Sequence, residues 1–370
     1  MQVSSRRFGL TLGLCALVLG SGFGLAMAQN YWSPQISPKQ QVAAKPVAPK
    51  VYFPVKRCIN VGGSLEPEVE AGWFNYRIRR GDFDIIAQAG FDSVRIPITW
   101  SAHASKQAPY TIYPAFFARV DEVVGWALQA GLHVIIDEHH YNALFKDPDA
   151  HEARLEGLWV QIANRYRNMP PSLMFEIINE PRDAFSGPRV NDVQARILSV
   201  IRQTNPTRTV ILTGDEWGSI DGMDNLVMPD DPYLVGSVHY YSPFDFTYQG
   251  AEFLDNPPPL GRTWPRAGEL AALQQDMAKI KAFGARIRAP VFVGEYGTVD
   301  NFDINQRAKW TQAVTRALND NAIPNCFFNF SAGMNAYDLK TESWKMPLLR
   351  ALELTPKSKG VTPAQTPKPW

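Results

Sequence analysis

The sequence predicts an α/β protein that folds as one single-domain (β/α)8 barrel, the TIM barrel. Three observations lead to this prediction: short apolar runs alternate with longer amphipathic stretches, eight such runs occur, and no Gly-x-Gly-x-x-Gly motif follows any of them. The alternation is typical of parallel βαβ units. Eight such units suit a closed barrel, and the lack of the glycine motif disfavours a dinucleotide-binding sheet.

The predicted strands and helices alternate along the chain. The predicted strands are 57–61, 93–97, 133–137, 173–178, 209–212, 234–238, 291–294 and 325–330. The predicted helices between them are 82–89, 116–130, 153–165, 190–203, 269–283 and 306–320. The apolar content of 45% is sufficient for the packed core that such a barrel requires.

Residues 1–28 have the pattern of a secretory signal peptide. Arg6 and Arg7 precede an apolar run, and Ala26-Met27-Ala28 fits the small-x-small cleavage rule. A permanent membrane anchor is the competing interpretation, which the glycines inside the run disfavour. We therefore expect a secreted or periplasmic protein with no stable membrane insertion after cleavage.

The segments that flank the predicted barrel are polar. Residues 29–52 are rich in Pro, Gln, Lys and Ala and are predicted to form a disordered arm or linker. Residues 355–370 have a similar composition and are predicted to form a disordered tail, which leaves 53–354 as the folded unit. Two cysteines remain after signal removal, Cys58 and Cys326. An exported protein can pair them, but two buried thiols are the expected state for so few cysteines in a large core.

The charge balance restricts the class of partner. The formal net charge is +1, and no basic stripe occurs, so a nucleic-acid partner is not expected. Ten tryptophans suit a groove that stacks on flat ligands such as sugar rings, although most of them are expected to fill the core. We expect a monomer.

The chemistry lies at the carboxyl ends of the predicted strands, where barrels of this kind gather their reacting groups. Glu180 follows the fourth strand within Asn179-Glu180-Pro181, and Glu295 follows the seventh within Gly294-Glu295-Tyr296-Gly297. Two carboxyl groups across one cleft are what glycoside cleavage requires: one attacks the anomeric carbon and the other protonates the leaving oxygen.

These motifs resemble those of glycoside hydrolase family 5, the cellulase-type family of retaining β-glycosidases. The resemblance extends over residues 57–352 and includes the second-strand segment 91–97. It implies that Glu180 is the acid/base, Glu295 the nucleophile, and Asn179 a ligand of the sugar 2-hydroxyl. Arg95 would lie beneath Glu295 and keep it ionised. The other implied substrate-binding residues are His139, His239, Tyr241, Trp217 and Phe328.

Several of these residues have alternative interpretations. Arg95 can form a buried ion pair with Glu176, which we interpret as interior structure. His140 is predicted to point away from His139, because side chains alternate along a strand. Trp217 is either a substrate platform or part of a loop core. Phe328 stands where this family usually has a tryptophan. A phenylalanine ring offers a smaller face than tryptophan and has no N–H donor, so the substrate preference is left open.

The resemblance implies endo-acting hydrolysis of a β-linked glucan without a cofactor, and β-1,4-glucan is the expected polymer. Mannan and β-1,3-glucan are alternative substrates. A metal-dependent hydrolase is the second hypothesis, raised by Glu138-His139-His140, although adjacent histidines on a strand cannot easily share one metal. The third is a carbohydrate-binding barrel without activity.

Overall fold

The computed structural model describes residues 51–355. The signal peptide predicted at 1–28 and residues 29–50 of the predicted arm lie outside the described residues, as does the predicted tail beyond Thr355. Between residues 51 and 355, every helix is too short or too polar to cross a lipid bilayer.

Eight parallel strands close into a barrel in sequence order, with the first paired to the last. The strands are β1 (Arg57–Asn60), β2 (Ser93–Ile96), β3 (His133–Asp137), β4 (Leu173–Glu176), β5 (Val210–Thr213), β6 (Leu234–Tyr240), β7 (Val291–Tyr296) and β8 (Asn325–Phe327). A two-stranded antiparallel ribbon, β9 (Tyr337–Asp338) and β10 (Ser343–Trp344), follows the barrel. The (β/α)8 prediction is confirmed.

Helices connect the strands on the outside of the barrel. They are α1 (Arg80–Ala89), α2 (Pro114–Gln129), α3 (Asn142–Lys146), α4 (Pro148–Arg165), α5 (Pro188–Arg202), α6 (Phe244–Thr247), α7 (Glu269–Ile287), α8 (Ile304–Asp320) and α9 (Met346–Ala351). Local sequence explains several boundaries. The side chain of Asp147 accepts from the Ala150 N–H at the start of α4, where Pro148 takes the first helical position. Gly90 ends α1 with a φ of 103°, which favours glycine.

Two apolar clusters account for the packing of the barrel. The larger one lies between the strands and the helices. Apart from Val55, which precedes β1, the smaller one consists of strand residues that point inward, as the period of two along a strand requires. Its buried members are Val55, Cys58, Ile135, Met174, Ile211, Val235, Phe292 and Cys326. This cluster closes one end of the barrel interior and leaves the other end for polar side chains.

Cys58 and Cys326 form a disulfide, so the expectation of two free thiols is wrong. The two residues are 268 positions apart in sequence but are direct partners in the register of β1 and β8. The bond joins the first barrel strand to the last. Sequence composition could not reveal this pairing, because it depends on how the barrel closes.

Candidate active site

A buried polar cluster lies inside the barrel, next to the smaller apolar cluster that closes the other end of its interior. The guanidinium of Arg95 on β2 is fully buried and contacts three carboxylates. It bonds Asp137 at 2.7 Å, Glu176 at 2.7 Å and Glu295 at 2.7 Å. The ion pair with Glu176 and the contact with Glu295 therefore coexist. Burial raises the pKa of Asp137 and of Glu176, and the charge of Arg95 opposes both shifts.

Glu295 is held at the end of β7 by two donors. Arg95 donates from Nη1 to Oε1, and the Tyr241 hydroxyl donates to Oε2 at 2.8 Å. The Glu295 carboxylate is nearly buried, with a side-chain exposure of 5%. Burial raises the pKa of Tyr241 well above 10, and the charge of Glu295 adds to that effect, so the tyrosine remains a hydrogen-bond donor. The two donors fix the orientation of the Glu295 carboxylate.

Glu180 lies beyond the end of β4, on a loop rather than on the strand. Its backbone has a φ of 45°, a left-handed conformation that is uncommon for a residue with a side chain. Its carboxyl oxygen Oε1 lies 2.9 Å from His239 Nδ1, and its side chain is 18% exposed. Glu180 is thus the more accessible of the two carboxyl groups.

The two carboxyl groups face each other across a short gap. Glu180, His239 and Glu295 each contribute one polar atom to a group in which all atoms lie within 4.8 Å of one another. His239 Nδ1 is also 3.7 Å from Glu295 Oε2, so the imidazole lies between the two acids. This spacing leaves room for direct attack on a bound sugar, whereas attack by an intervening water requires roughly 6.5–9.5 Å between the carboxyl groups.

The two histidines near these acids have opposite electrostatic environments. Burial would lower the pKa of His239, but the negative charges of Glu295 and Glu180 and the bond to Glu180 outweigh burial and raise it. The pKa of His139 is well below 6.5, because burial and the charge of Arg95 both disfavour imidazolium. His139 Nδ1 lies 2.7 Å from Asp137 Oδ2, so a neutral ring donates there and leaves Nε2 free to accept.

His140 does not point away from His139, and that prediction is wrong. Strand β3 ends at Asp137, so the alternation of side chains does not extend to the two histidines, and their ring centroids are 4.4 Å apart. Together with Glu66 they form a group of three whose polar atoms lie within 4.8 Å, which could hold a metal ion. Glu66 instead accepts from the N–H groups of Gly63 and Ser64. Glu138, the acidic residue of the metal hypothesis, is not in this group, and its carboxylate accepts from Ser101 N–H.

Asn179 directly precedes Glu180 in sequence, and the Trp217 N–H donates to the carbonyl of Pro181, the residue after Glu180. Asn179 is buried, and its Oδ1 accepts from Arg95 Nη2 at 2.7 Å, which leaves its amide N–H groups free to bind a ligand. Trp217 is 53% exposed and is therefore not part of a loop core. Its ring stacks on the guanidinium of Arg182, 4.0 Å from ring centroid to Cζ.

Phe328 lies just after β8 and is half-buried. It packs against a third, small apolar cluster of Ala251, Val299 and Met334, which Tyr241 and Tyr248 also contact. The Phe328 N–H donates to the carbonyl of Tyr296. The ring therefore borders the same side of the site as the tyrosine that contacts Glu295. All nine residues that the sequence indicated lie at the carboxyl ends of the barrel strands or in the loops that follow.

Three more residues shape this site, and the sequence indicated no role for them. Asp137 binds both Arg95 and His139, and its position at a strand end was the available signal. Arg182, two residues after Glu180, gave no signal, because its side-chain contacts with Asn142, Phe145 and Trp217 join segments distant in sequence. Glu66 also gave none, since its burial follows from the fold of its loop.

Comparison with known proteins agrees with this geometry. The family described as Cellulase (glycosyl hydrolase family 5) matches residues 59–333. Endoglucanase H of Acetivibrio thermocellus is 33% identical over 302 residues, and Endoglucanase A of Ruminococcus albus is 31% identical over 289 residues. The first match covers 79% of this chain but only 32% of the relative, and the second covers 69% and 75%.

Solved structures give the same result and are matched over almost their whole length. A structure of Thermotoga maritima Cel5A in complex with cellobiose is 38% identical with a TM-score of 0.79, and the match covers 80% of this chain and 97% of that one. A structure of the same enzyme with mannotriose has the same identity, score and coverage. The chain belongs to the cellulase family, glycosyl hydrolase family 5.

Proposed function

We propose that this protein is an endo-acting retaining β-glycoside hydrolase that cleaves β-1,4-glucan by double displacement. The observation that carries the proposal is the pair of carboxyl groups, Glu180 and Glu295, with oxygens within 4.8 Å across the opening of the barrel. This spacing is on the retaining side of the division between the two mechanisms.

In the first step Glu295 attacks the anomeric carbon while Glu180 gives its proton to the leaving oxygen. The glycosidic bond breaks, and an ester forms between Glu295 and the sugar. In the second step Glu180 takes a proton from water, which attacks the anomeric carbon and releases Glu295. Arg95 and Tyr241 orient the nucleophile, and His239 holds the carboxyl group of Glu180. Asn179 binds the 2-hydroxyl, and His139 presents a neutral Nε2 to the same sugar.

The relatives support this choice of substrate. Endoglucanase H and Endoglucanase A carry names that denote glucan cleavage within the chain, and the Cel5A structure holds cellobiose. A second candidate is mannan, which the mannotriose complex of the same enzyme favours. Phe328 borders the attacked sugar in this proposal, and its ring influences which of the two polymers is preferred.

The experiment is a reducing-end assay on cellulose derivatives, barley β-glucan, mannan and β-1,3-glucan, followed by sizing of the products. The expected result is release of short oligosaccharides from β-1,4-glucans. Glu295→Gln abolishes turnover, because an amide cannot form the ester. Glu180→Ala loses far more activity on polymers than on aryl glycosides with acidic leaving groups, which need little protonation. Equal losses on both substrates would contradict the role of Glu180.

We further propose that the protein is exported as a monomer. The pattern of residues 1–28 supports a cleaved signal, and the disulfide supports an oxidising compartment, secreted or periplasmic. Residues 29–52 and 355–370 then form polar extensions to the folded unit at 53–354. Amino-terminal sequencing of the exported protein tests this proposal, with Gln29 expected as the first residue. A mature protein that keeps its first 28 residues would contradict it.

A further inference from the structure

A second cluster of polar side chains lies at the same end of the barrel as the two acids, and it consists of Glu66, His139 and His140. Each residue contributes one polar atom, and the three atoms lie within 4.8 Å of one another. Glu66 and His139 are buried, and His140 is half-buried. Side chains that follow β1 and β3 therefore converge on one point.

The ring nitrogens of this cluster are available to a ligand. His139 Nδ1 lies 2.7 Å from Asp137 Oδ2, so the neutral ring donates there and its Nε2 carries no proton. Among the residues that the structure describes, neither this Nε2 nor a ring nitrogen of His140 takes part in a hydrogen bond. An imidazole that donates one N–H to a carboxylate and offers its other nitrogen is the usual form of a metal-binding histidine.

Glu66 adds a carboxylate whose orientation is fixed by its own loop. Its two oxygens accept from the N–H groups of Gly63 and Ser64 at distances of 2.7–3.1 Å. Each oxygen has a second lone pair, so these bonds leave the carboxylate able to bind a cation. Within the described part of the chain, no lysine or arginine pairs with Glu66. A buried carboxylate without a cationic partner is costly, and a metal ion would supply that partner.

The ligand types indicate which metal suits the cluster. Two imidazoles and one carboxylate are ligands of zinc, whereas Ca²⁺ and Mg²⁺ prefer sites made of oxygen atoms alone. Ligand atoms around a tetrahedral zinc lie roughly 3.3 Å apart, so a slight closure of the three side chains is sufficient. Packing keeps His140 in place for this, because its ring meets His139 edge-on at 4.4 Å and Trp73 at 5.3 Å between centroids.

We propose that Glu66, His139 and His140 bind a zinc ion, and that the bound zinc inhibits glycan hydrolysis by occupying His139 Nε2. In the proposed function this nitrogen faces the attacked sugar, so the metal and the substrate compete for it. The zinc site itself is independent of the proposed function, whereas the inhibition rests on it. Neither Glu180 nor Glu295 belongs to the cluster, so the metal takes no part in the reaction.

The first test measures zinc binding without any glycan. Untagged full-length protein is treated with a chelator, dialysed and titrated with zinc chloride in a calorimeter, and about one site per protein is expected. His140→Ala and His140→Phe should each weaken zinc binding roughly tenfold or more. The phenylalanine variant keeps a ring against Trp73 and serves if the alanine variant does not fold. His133→Ala is the matched control, because His133 begins β3 at the opposite end of the barrel, and it should bind zinc as the unchanged protein does.

The second test measures hydrolysis of barley β-glucan at several zinc concentrations. Zinc should raise KM and leave kcat unchanged, and half-inhibition should occur near the Kd from calorimetry. Relative to its own activity without zinc, each His140 variant should need roughly tenfold or more zinc for the same inhibition. Zinc binding that persists in both His140 variants would overturn the site, and inhibition that lowers kcat alone would overturn the competition. If the chelator-treated protein binds zinc but hydrolyses no glycan, the proposed function fails and the site remains.

Discussion

At the scale of single residues, Arg95 holds the candidate site together. It is one buried cation among three carboxylates, and it also donates to the side-chain oxygens of Asn60 and Asn179. Removing one charged member of a buried ion cluster leaves the remaining charges buried without a partner. The free energy of unfolding lost in this way exceeds the net stabilisation that the intact cluster provides.

Arg95→Met is therefore expected to lower the free energy of unfolding by about 3–5 kcal/mol and to remove activity. Urea denaturation followed by circular dichroism measures the first effect. The control is Arg316→Met, which breaks an exposed pair with Glu353 and should cost about 0–1 kcal/mol. Similar losses of stability in the two variants would show that the buried cluster does not have this role.

Glu138 gives a prediction about pH. Burial raises the pKa of its carboxyl group to about 8 from an ordinary 4.5. Between these two pH values the folded protein therefore retains a proton that the unfolded chain has lost. The contribution of Glu138 to the free energy of unfolding is fully present below pH 4.5 and decreases as the pH rises toward 8. Glu138→Gln removes this dependence while its side-chain oxygen still accepts from Ser101 N–H.

The difference in unfolding free energy between Glu138→Gln and the unchanged protein should therefore grow in favour of the variant from pH 5 to pH 8, by at most roughly 1.4 kcal/mol per pH unit. Glu66 has a similarly raised pKa, but it is present in both proteins and cancels in the difference. Denaturation curves at four pH values suffice. A difference that stays constant across this range would mean that Glu138 is not protonated in the folded state.

At the scale of elements, the loops after β3, β4 and β5 are joined by Arg182. It donates to Asn142 Oδ1 and to the carbonyl of Glu180, and its guanidinium lies between the rings of Phe145 and Trp217. Because Glu180 has a left-handed backbone, this support from neighbouring loops keeps its carboxyl group in place.

Arg182→Met is expected to lower kcat on polymer roughly tenfold or more, because a small displacement of the proton donor is costly. The loss should be smaller on aryl glycosides with acidic leaving groups, and Arg182→Lys should lie between the two. Arg189→Met, which breaks pairs with Asp149 and Glu152, serves as the control. A uniform loss on both substrate types would indicate a general structural defect instead.

The elements were the most predictable part of the fold. All eight strands and the six long helices were predicted from the sequence, since apolar periodicity reports which face is buried. The site was less predictable where it lies beyond a strand end. His139 and His140 converge because β3 stops at Asp137, and Arg182 contacts loops distant in sequence. Such contacts depend on loop geometry, which periodicity does not encode.

At the scale of the whole molecule, the barrel is closed covalently at the seam between β1 and β8 by Cys58 and Cys326. So few cysteines in a large core predict buried free thiols, and the proximity of these two emerges only when the complete ring closes. A disulfide that closes so long a loop restricts the unfolded chain strongly.

Replacing both cysteines by alanine is expected to lower the free energy of unfolding by about 2–4 kcal/mol with activity retained at low temperature, since the bond lies at the end of the barrel away from the acids. Thermal denaturation with and without dithiothreitol measures this effect. The reductant should destabilise the unchanged protein by a similar amount and leave the double variant unaffected. If the unchanged protein does not respond to reductant after its thiols are shown to be free, the seam bond does not stabilise the fold.

The central claim is that Glu180 and Glu295 cleave a β-glycosidic bond by double displacement, and the anomeric configuration of the first product tests it most directly. Proton NMR of cellopentaose during the first minutes of hydrolysis, before mutarotation, distinguishes the two anomers. The short gap between the carboxyl groups predicts the β anomer as the first product. An α anomer formed first would mean that water attacks directly, and it would contradict the account.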